Sequence, residues 1–404
     1  LMSYDQFIAA KLGVIASAGI DAPLRDYDLF PHQSDLTRWA LRRGKAAIFA
    51  DTGLGKMRMA IAWADTVVAH TGLSVMILCP LAVAQQFVAE GLLMGIEVTH
   101  CREQQDVRHG INITNYDRLH KFDMGMFAGV ALDESSIIKS HASKTLALLM
   151  DAFRATPYKL CCTATPSPND WTELGTHAEF LGVRSRSEML AEFFVHDGGD
   201  TSVWRLKGHA RTVFWRWVAS WGAMIRSPAD LGYDASAYAL PPLHIHQHTV
   251  EIEHNPMHGL FAQEAQTLSE RRQSRRDSMA ARVKECAELV NIGYEDPWIV
   301  WCDLNDEGDM LERAIPGSVQ VAGSDDNDTK ERRMVGFSTG QHRVLISKQK
   351  ICGWGMNWQH CAHQAFVGVN DSYEGFYQAV RRSWRFGQRR PVNIHVFASN
   401  QDGA

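Results

Sequence analysis

The sequence predicts an α/β fold built from two successive parallel sheets, and three observations lead there. Short apolar, β-branched runs alternate with helical stretches, the pattern of parallel strands joined by crossover helices. The runs fall into two series, separated by a different region at roughly 184–290 that is rich in Trp and Arg. The 404 residues suffice for two domains of ordinary size. In the first series the expected strands are Ala46–Ala50, Ser74–Cys79, Ile111–Thr114, Val130–Asp133 and Lys159–Thr163. In the second they are Trp298–Cys302, Val319–Ala322, Val344–Ser347, Gln364–Val369 and Asn393–Phe397. The boundary belongs near Tyr238–Pro242, where Pro241-Pro242 cannot continue a helix. That gives domains at 1–238 and 239–404.

Bulk composition narrows the classes. Apolar residues at 45% and charged residues at 22% fit a soluble globular protein. A net charge of −5 excludes a global basic field, so nucleic acid would have to be met by local patches. No apolar run approaches the roughly 20 residues that span a bilayer, so no membrane role is expected. The eight cysteines show no paired ligand spacing and read as reduced thiols of a cytosolic protein. A monomer in a bacterial or phage-infected cytoplasm is expected. The Leu1-Met2-Ser3 start reads as a processed or tagged terminus, and the polar last residues leave room for truncation.

Chemistry enters at the end of the first strand. Ala46–Ala50 runs into Asp51-Thr52-Gly53-Leu54-Gly55-Lys56-Met57, with a helix expected from near Arg58. Glycines let the backbone curl so that its N–H groups face phosphates, and a helix N-terminus adds positive potential. Lys56 is placed to reach the β- and γ-phosphates. Met57 stands where Ser or Thr normally meets Mg²⁺, and a thioether is a poor ligand for a hard cation. Either Asp133 and waters hold the metal, or hydrolysis is weakened.

Asp133-Glu134 follows an apolar strand, so both carboxylates fall at the sheet's C-terminal edge, where ligands bind in open α/β sheets. Asp133 suits Mg²⁺, and Glu134 suits orienting and deprotonating the attacking water. Thr163-Ala164-Thr165-Pro166 ends another strand. Its hydroxyls could relay contacts from the acidic pair, or simply form a turn stopped by proline. Far downstream, the stretch Gln378 to Gln388 carries Arg382 and Arg385, three residues apart and expected on one helix face before Gly387. Arginine forks onto phosphate oxygens, so the pair suits a nucleotide held by another domain.

Taken in order, these segments resemble the superfamily 2 helicases and translocases, particularly the Swi/Snf-type ATPases. Leu29-Phe30-Pro31-His32-Gln33 is similar to their adenine-reading glutamine segment, and Ile48 to Lys56 to their first motif. Leu78-Cys79-Pro80-Leu81 and Ile113-Thr114-Asn115-Tyr116 resemble segments that track a nucleic-acid backbone. Asp133 to Ser140 resembles the acidic box, and Met224-Ile225-Arg226-Ser227 with Leu240-Pro241-Pro242 the exit from the first domain. Gly353-Trp354-Gly355-Met356-Asn357 resembles the glycine-rich fifth motif, and Gln378–Gln388 the sixth. The resemblance spans roughly 29–398 and implies two RecA-like domains with ATP and Mg²⁺ in the cleft between them. It implies nucleotide contacts from Gln33, Asp51, Thr52, Gly53, Leu54, Gly55, Lys56, Met57, Gly355, Arg382 and Arg385, the two arginines acting as fingers. It further implies nucleic-acid contacts from Pro80, Thr114, Tyr116, Gly353 and Asn357, and coupling roles for Thr163, Thr165 and Gln378. The compact form resembles phage- or prophage-borne members. Departures are Met57, Ser136 where His is common and Arg381 where many relatives carry an acid, and the sequence ends soon after the last expected strand, so the family's closing helix is not expected within it.

Three further features have rival readings. Trp204, Trp215, Trp217 and Trp221 could stack bases. Phe214, Trp217, Trp221 and Ile225 nonetheless recur at helical spacing, which favours the packed face of an interdomain helix. Arg271, Arg272, Arg275 and Arg276 could meet phosphates, although a charge run is more often a solvated face. His244, His246 and His248 alternate along an extended segment, favouring solvent-facing strand residues over metal ligands. The expected function is an ATP-driven motor on DNA, duplex in preference, with RNA left open. The rivals are a strand-separating helicase on DNA or RNA, for which no wedge insertion is evident, and a nucleotide-dependent DNA-binding protein that scarcely hydrolyses ATP.

Overall fold

In the computed structural model, residues 19–81, 83–140, 143–197, 200–251, 268–292, 295–352, 356–368 and 372–400 are described. The chain divides into two units, Leu1–Ala237 and Tyr238–Ala404. Each unit is built on one parallel sheet, so the expected pair of parallel sheets in tandem is present.

The first unit's strands are β1 (Lys45–Ala50), β2 (Ser74–Cys79), β3 (Val98–His100), β4 (Ile111–Asn115), β5 (Phe127–Asp133) and β6 (Tyr158–Cys162). They are followed by β7 (Phe194–Asp197), β8 (Asp200–Leu206) and β9 (Gly222–Ile225). The sheet order is β3-β4-β2-β5-β6-β1-β9, while β7 and β8 form a separate antiparallel hairpin. β2 and β5 are buried along their whole length, as expected for strands covered by helices on both faces. This continuous burial is why they read as unbroken apolar runs. β3 and β9 were not expected from sequence. β3 has only three residues, and β9 begins with a glycine directly behind a Trp-rich helix.

That helix, Arg211–Ala219, is shorter than the helical spacing implies. Phe214, Trp217 and Trp221 are buried in the first unit's core, with the Trp217 and Trp221 rings 5.4 Å apart. Ile225 is not on the helix but in β9, paired with Ala50. The Trp cluster is therefore core of the first unit, where large aromatic surfaces contribute most to packing. Trp204 and Trp215 pack partly buried against the same core. The sequence did not reveal the β7–β8 pair, on which Val195 and Val203 are exposed.

The second unit contains β10 (Leu243–Val250), β11 (Trp298–Cys302), β12 (Ser318–Val321), β13 (Val344–Lys348), β14 (His363–Phe366) and β15 (Val392–Ser399). Their order is β10-β15-β14-β11-β13-β12. A fully buried ion pair, Arg282 Nη2 to Glu307 Oε1 at 2.9 Å, ties the helix Met279–Ile292 to the helix Asn305–Ala314 that follows β11. Glu307 Oε2 also accepts the Asp303 and Leu304 N–H groups, so both carboxylate oxygens are satisfied. On the edge strand β10, His244 and His246 are exposed. His246 stacks on His395, and His248 Nε2 lies 3.0 Å from His395 Nδ1. Among the described residues no group of three His, Cys, Asp or Glu side chains could hold a metal ion. No described helix is long and apolar enough to cross a membrane. All eight cysteines are buried and free. The side chains of Arg271 and Arg272 lie outside the described residues, whereas Arg275 reaches Asp303 at 3.7 Å and Arg276 is exposed.

Candidate nucleotide site

The first unit's parallel strands bring their C-terminal ends to one edge. Along that edge β5, β6 and β1 lie side by side, with Asp133 paired to Cys162 and Cys162 paired to Ile48. The acidic pair and the loop after β1 are thus two strand spacings apart, roughly 10 Å. Thr163, just past β6, sits between them and donates its N–H to the Ile48 carbonyl.

The loop turns through Gly53 at φ 90° and Gly55 at φ 83°, left-handed conformations that glycine adopts without strain. The following helix, Lys56–Thr71, begins two residues earlier than the sequence indicated, with Gly55 as its N-cap. Lys56 Nζ donates to the carbonyls of Ala50 (2.8 Å) and Asp51 (3.2 Å), which ties the ammonium across the loop. Asp51 Oδ1 accepts the Thr52 N–H at 2.6 Å. Met57 is half-buried as the second helical residue.

Asp133 ends β5 buried, and Glu134 follows in the left-handed region at φ 52°, ψ 50°. For a non-glycine residue that conformation is uncommon and concentrates at functional positions. Glu134 Oε2 faces Thr163 Oγ1 at 3.5 Å, and Thr163 Oγ1 accepts the Thr165 N–H at 3.2 Å. Thr163, Thr165 and Glu134 therefore form one connected group. Burial pushes the Cys162 thiol well above its ordinary pKa, with Asp133 and Glu134 adding to the shift and Lys56 opposing it. The charges of the loop and of the acidic pair are thus felt at a single point.

Residues predicted to meet nucleic acid fare differently. Pro80 is half-buried beyond β2. Thr114 and Asn115 are buried, and Thr114 Oγ1 and Asn115 Oδ1 have no hydrogen-bond partner among the described residues. Tyr116 is buried, with its hydroxyl donating to the Asp133 carbonyl at 2.7 Å, so its ring supports the acidic strand from below. Burial, with the Asp133 charge adding, raises its phenol pKa well above 10. In the second unit Asn357 is half-buried, and its Oδ1 has no partner among the described residues. Gly353 and Gly355 lie outside the described residues.

The arginine segment needs correction. The helix Tyr373–Val380 stops before both arginines, which sit in successive turns rather than on a helix face. Arg382 is 1% exposed. Its Nε donates to the Gln378 carbonyl, Nη2 to Gln378 Oε1 and Nη1 to the Met356 carbonyl, each at 2.9 Å. Arg385 is half-buried and reaches Met356 O only at 3.5 Å. Arg381, the unexpected extra cation, lies between the rings of Tyr377 and Trp384 at 5.8 and 5.4 Å.

Sequence reasoning missed His177. It is fully buried in the helix Leu174–Phe180, with Nε2 3.1 Å from Ser135 Oγ and its ring edge-on to Phe49 at 5.2 Å. It therefore joins β1 to the acidic segment, and nothing in the mixed stretch Leu174–Phe180 marks it in the sequence. Burial lowers its pKa from 6.5 to about 4, so the ring is neutral near pH 7. Between those two values the unfolded chain binds a proton that the folded chain does not. Stability is consequently lost as pH falls from 6.5 toward 4, by up to about 3 kcal/mol. Urea midpoints measured from pH 7.5 down to 4.5 should show this decline, and His177→Gln should make it shallower, the part due to His395, which burial likewise lowers to about 4, remaining. An unchanged slope in that variant would rule His177 out as the source.

No protein-family model matches the chain. Nor does any curated protein match it. Among solved structures it is similar to the SWI2/SNF2 ATPase core of Sulfolobus solfataricus in complex with dsDNA. That likeness has 15% identity and a TM-score of 0.43, and covers 96% of this chain and 90% of that one.

Proposed function

We propose that this chain is an ATP-hydrolysing motor that works on DNA, duplex in preference. The observation that carries the reading is the sheet edge where the Gly53–Lys56 loop, Thr163 and the strained Glu134 converge. A triphosphate suits that edge, because loop amides, a helix N-terminus and Lys56 supply positive potential there. Lys56 exchanges its carbonyl partners for β- and γ-phosphate oxygens. Asp133, the single carboxylate ending β5, fits Mg²⁺, which keeps several waters and binds through one or two carboxylates plus substrate phosphates. The ion, when bound, neutralises charge on the phosphates. Glu134, oriented by Thr163, takes the proton of the attacking water. Arg385 is the arginine that supplies positive charge to the transferring phosphate in this reading.

The test compares ATP turnover with duplex DNA, single-stranded DNA and RNA at matched salt, since phosphate contacts are strongly salt-dependent. Saturating duplex is expected to raise turnover at least about fivefold, the low end of ordinary coupling between sites. Turnover unaffected by duplex would overturn the motor reading. Stimulation by single strands alone, with strand separation, would move the assignment to a helicase.

A further inference from the structure

The first turn of the helix Pro31–Arg43 contains a glutamine whose amide is already committed on both sides. Gln33 Oε1 accepts the Phe30 N–H at 3.1 Å, capping the helix, and Nε2 donates to the Leu54 carbonyl at 3.1 Å. The residue is 3% exposed. Its amide also presses on the loop backbone itself, because a Cβ added at Gly55 would meet Nε2 at 2.1 Å. His32 is buried beside it and also hydrogen-bonds the Leu54 backbone. Two consecutive side chains thus hold one loop residue.

A glutamine that selects adenine must offer one donor and one acceptor together to the base edge. Gln33 has Oε1 on the Phe30 N–H and Nε2 on the Leu54 carbonyl, and at 3% exposure the remaining lone pair and N–H are buried away from a base edge. The Phe30 ring, 44% exposed and stacked over His32, is the surface left for a base. Stacking of that kind tolerates every base.

We propose that Gln33 is a strut that sets the phosphate loop, and that the site takes nucleoside triphosphates with little discrimination among bases. This rests on the reading above that the Gly53–Lys56 loop holds a triphosphate. Gln33 is then a positioning residue, acting on the phosphates through Leu54 and Gly55.

The experiment measures binding of ATP, GTP and inorganic tripolyphosphate, each with Mg²⁺, to the full chain and to Gln33→Ala and Gln33→Glu. In the unsubstituted protein ATP and GTP should bind within about threefold of one another, under 1 kcal/mol. Gln33→Ala should weaken all three probes by one common factor, about tenfold for a lost buried hydrogen bond. Gln33→Glu keeps the cap acceptor but turns an oxygen toward Leu54, and should show the same uniform loss. A preference of the unsubstituted protein for ATP over GTP of about a hundredfold would overturn the proposal, whether or not the variants fold. So would a loss in either variant confined to ATP, with tripolyphosphate spared. Failure of all three probes to bind the unsubstituted protein would overturn the phosphate-loop reading itself, and this proposal with it.

Discussion

Glu134→Gln is expected to lower ATP turnover by about 10²–10⁴-fold, the usual loss when a positioned general base is removed. Nucleotide affinity should stay close to that of the unsubstituted protein. The substitution is nearly isosteric, so it preserves side-chain shape and the left-handed backbone at φ 52° while removing the basic carboxylate. Glutamine can still face Thr163 Oγ1, 3.5 Å from Oε2, so the group with Thr165 need not rearrange. Equilibrium ATP binding and single-turnover rates separate the two effects. The same measurement decides between a motor and a nucleotide-dependent binding protein. Equal, near-background rates for both proteins would mean that Glu134 takes no proton, and Met57 would then account for a site that binds without turning over. A large drop would show that the half-buried thioether does not prevent metal use.

How much of this was legible in the sequence depends on how local each signal is. Ser74–Cys79 and Trp298–Cys302 match β2 and β11 end to end, because buried parallel strands appear as uninterrupted apolar runs. The edge strands β3 and β9 were missed, since they are short and part of their meaning comes from the neighbour they pair with. The loop after β1 was legible because glycine and lysine spacing is itself the device. What no spacing could show is where a side chain ends up. Tyr116 lies under the acidic strand end, Gln33 under the loop, and His177 between Phe49 and Ser135. Each of these is a long-range contact, invisible to periodicity.

The arginine pair gives the sharpest case, because two residues that look equivalent in sequence should behave oppositely on substitution. Arg385→Ala is expected to cut ATP turnover by about 10³-fold or more, as removal of an arginine finger does, with little change in stability. Arg382→Ala should instead destabilise the second unit by about 3 kcal/mol or more. It removes three buried hydrogen bonds, to the Gln378 and Met356 carbonyls and to Gln378 Oε1, each contributing about 1 kcal/mol. Arg382→Lys should rescue little, since an ammonium cannot span three acceptors placed for a planar fork. The pairing of Gln378 with Arg382 explains why a helical reading was attractive. The two residues keep an i,i+4 contact although the helix stops at Val380 between them. Arg385, three residues further, is half-buried, and its 3.5 Å contact to Met356 O is long enough to be exchanged for phosphate oxygens. Urea unfolding and ATP turnover on the same two alanine variants test the division. It fails if Arg385→Ala unfolds the second unit, or if Arg382→Ala stays fully stable while losing turnover.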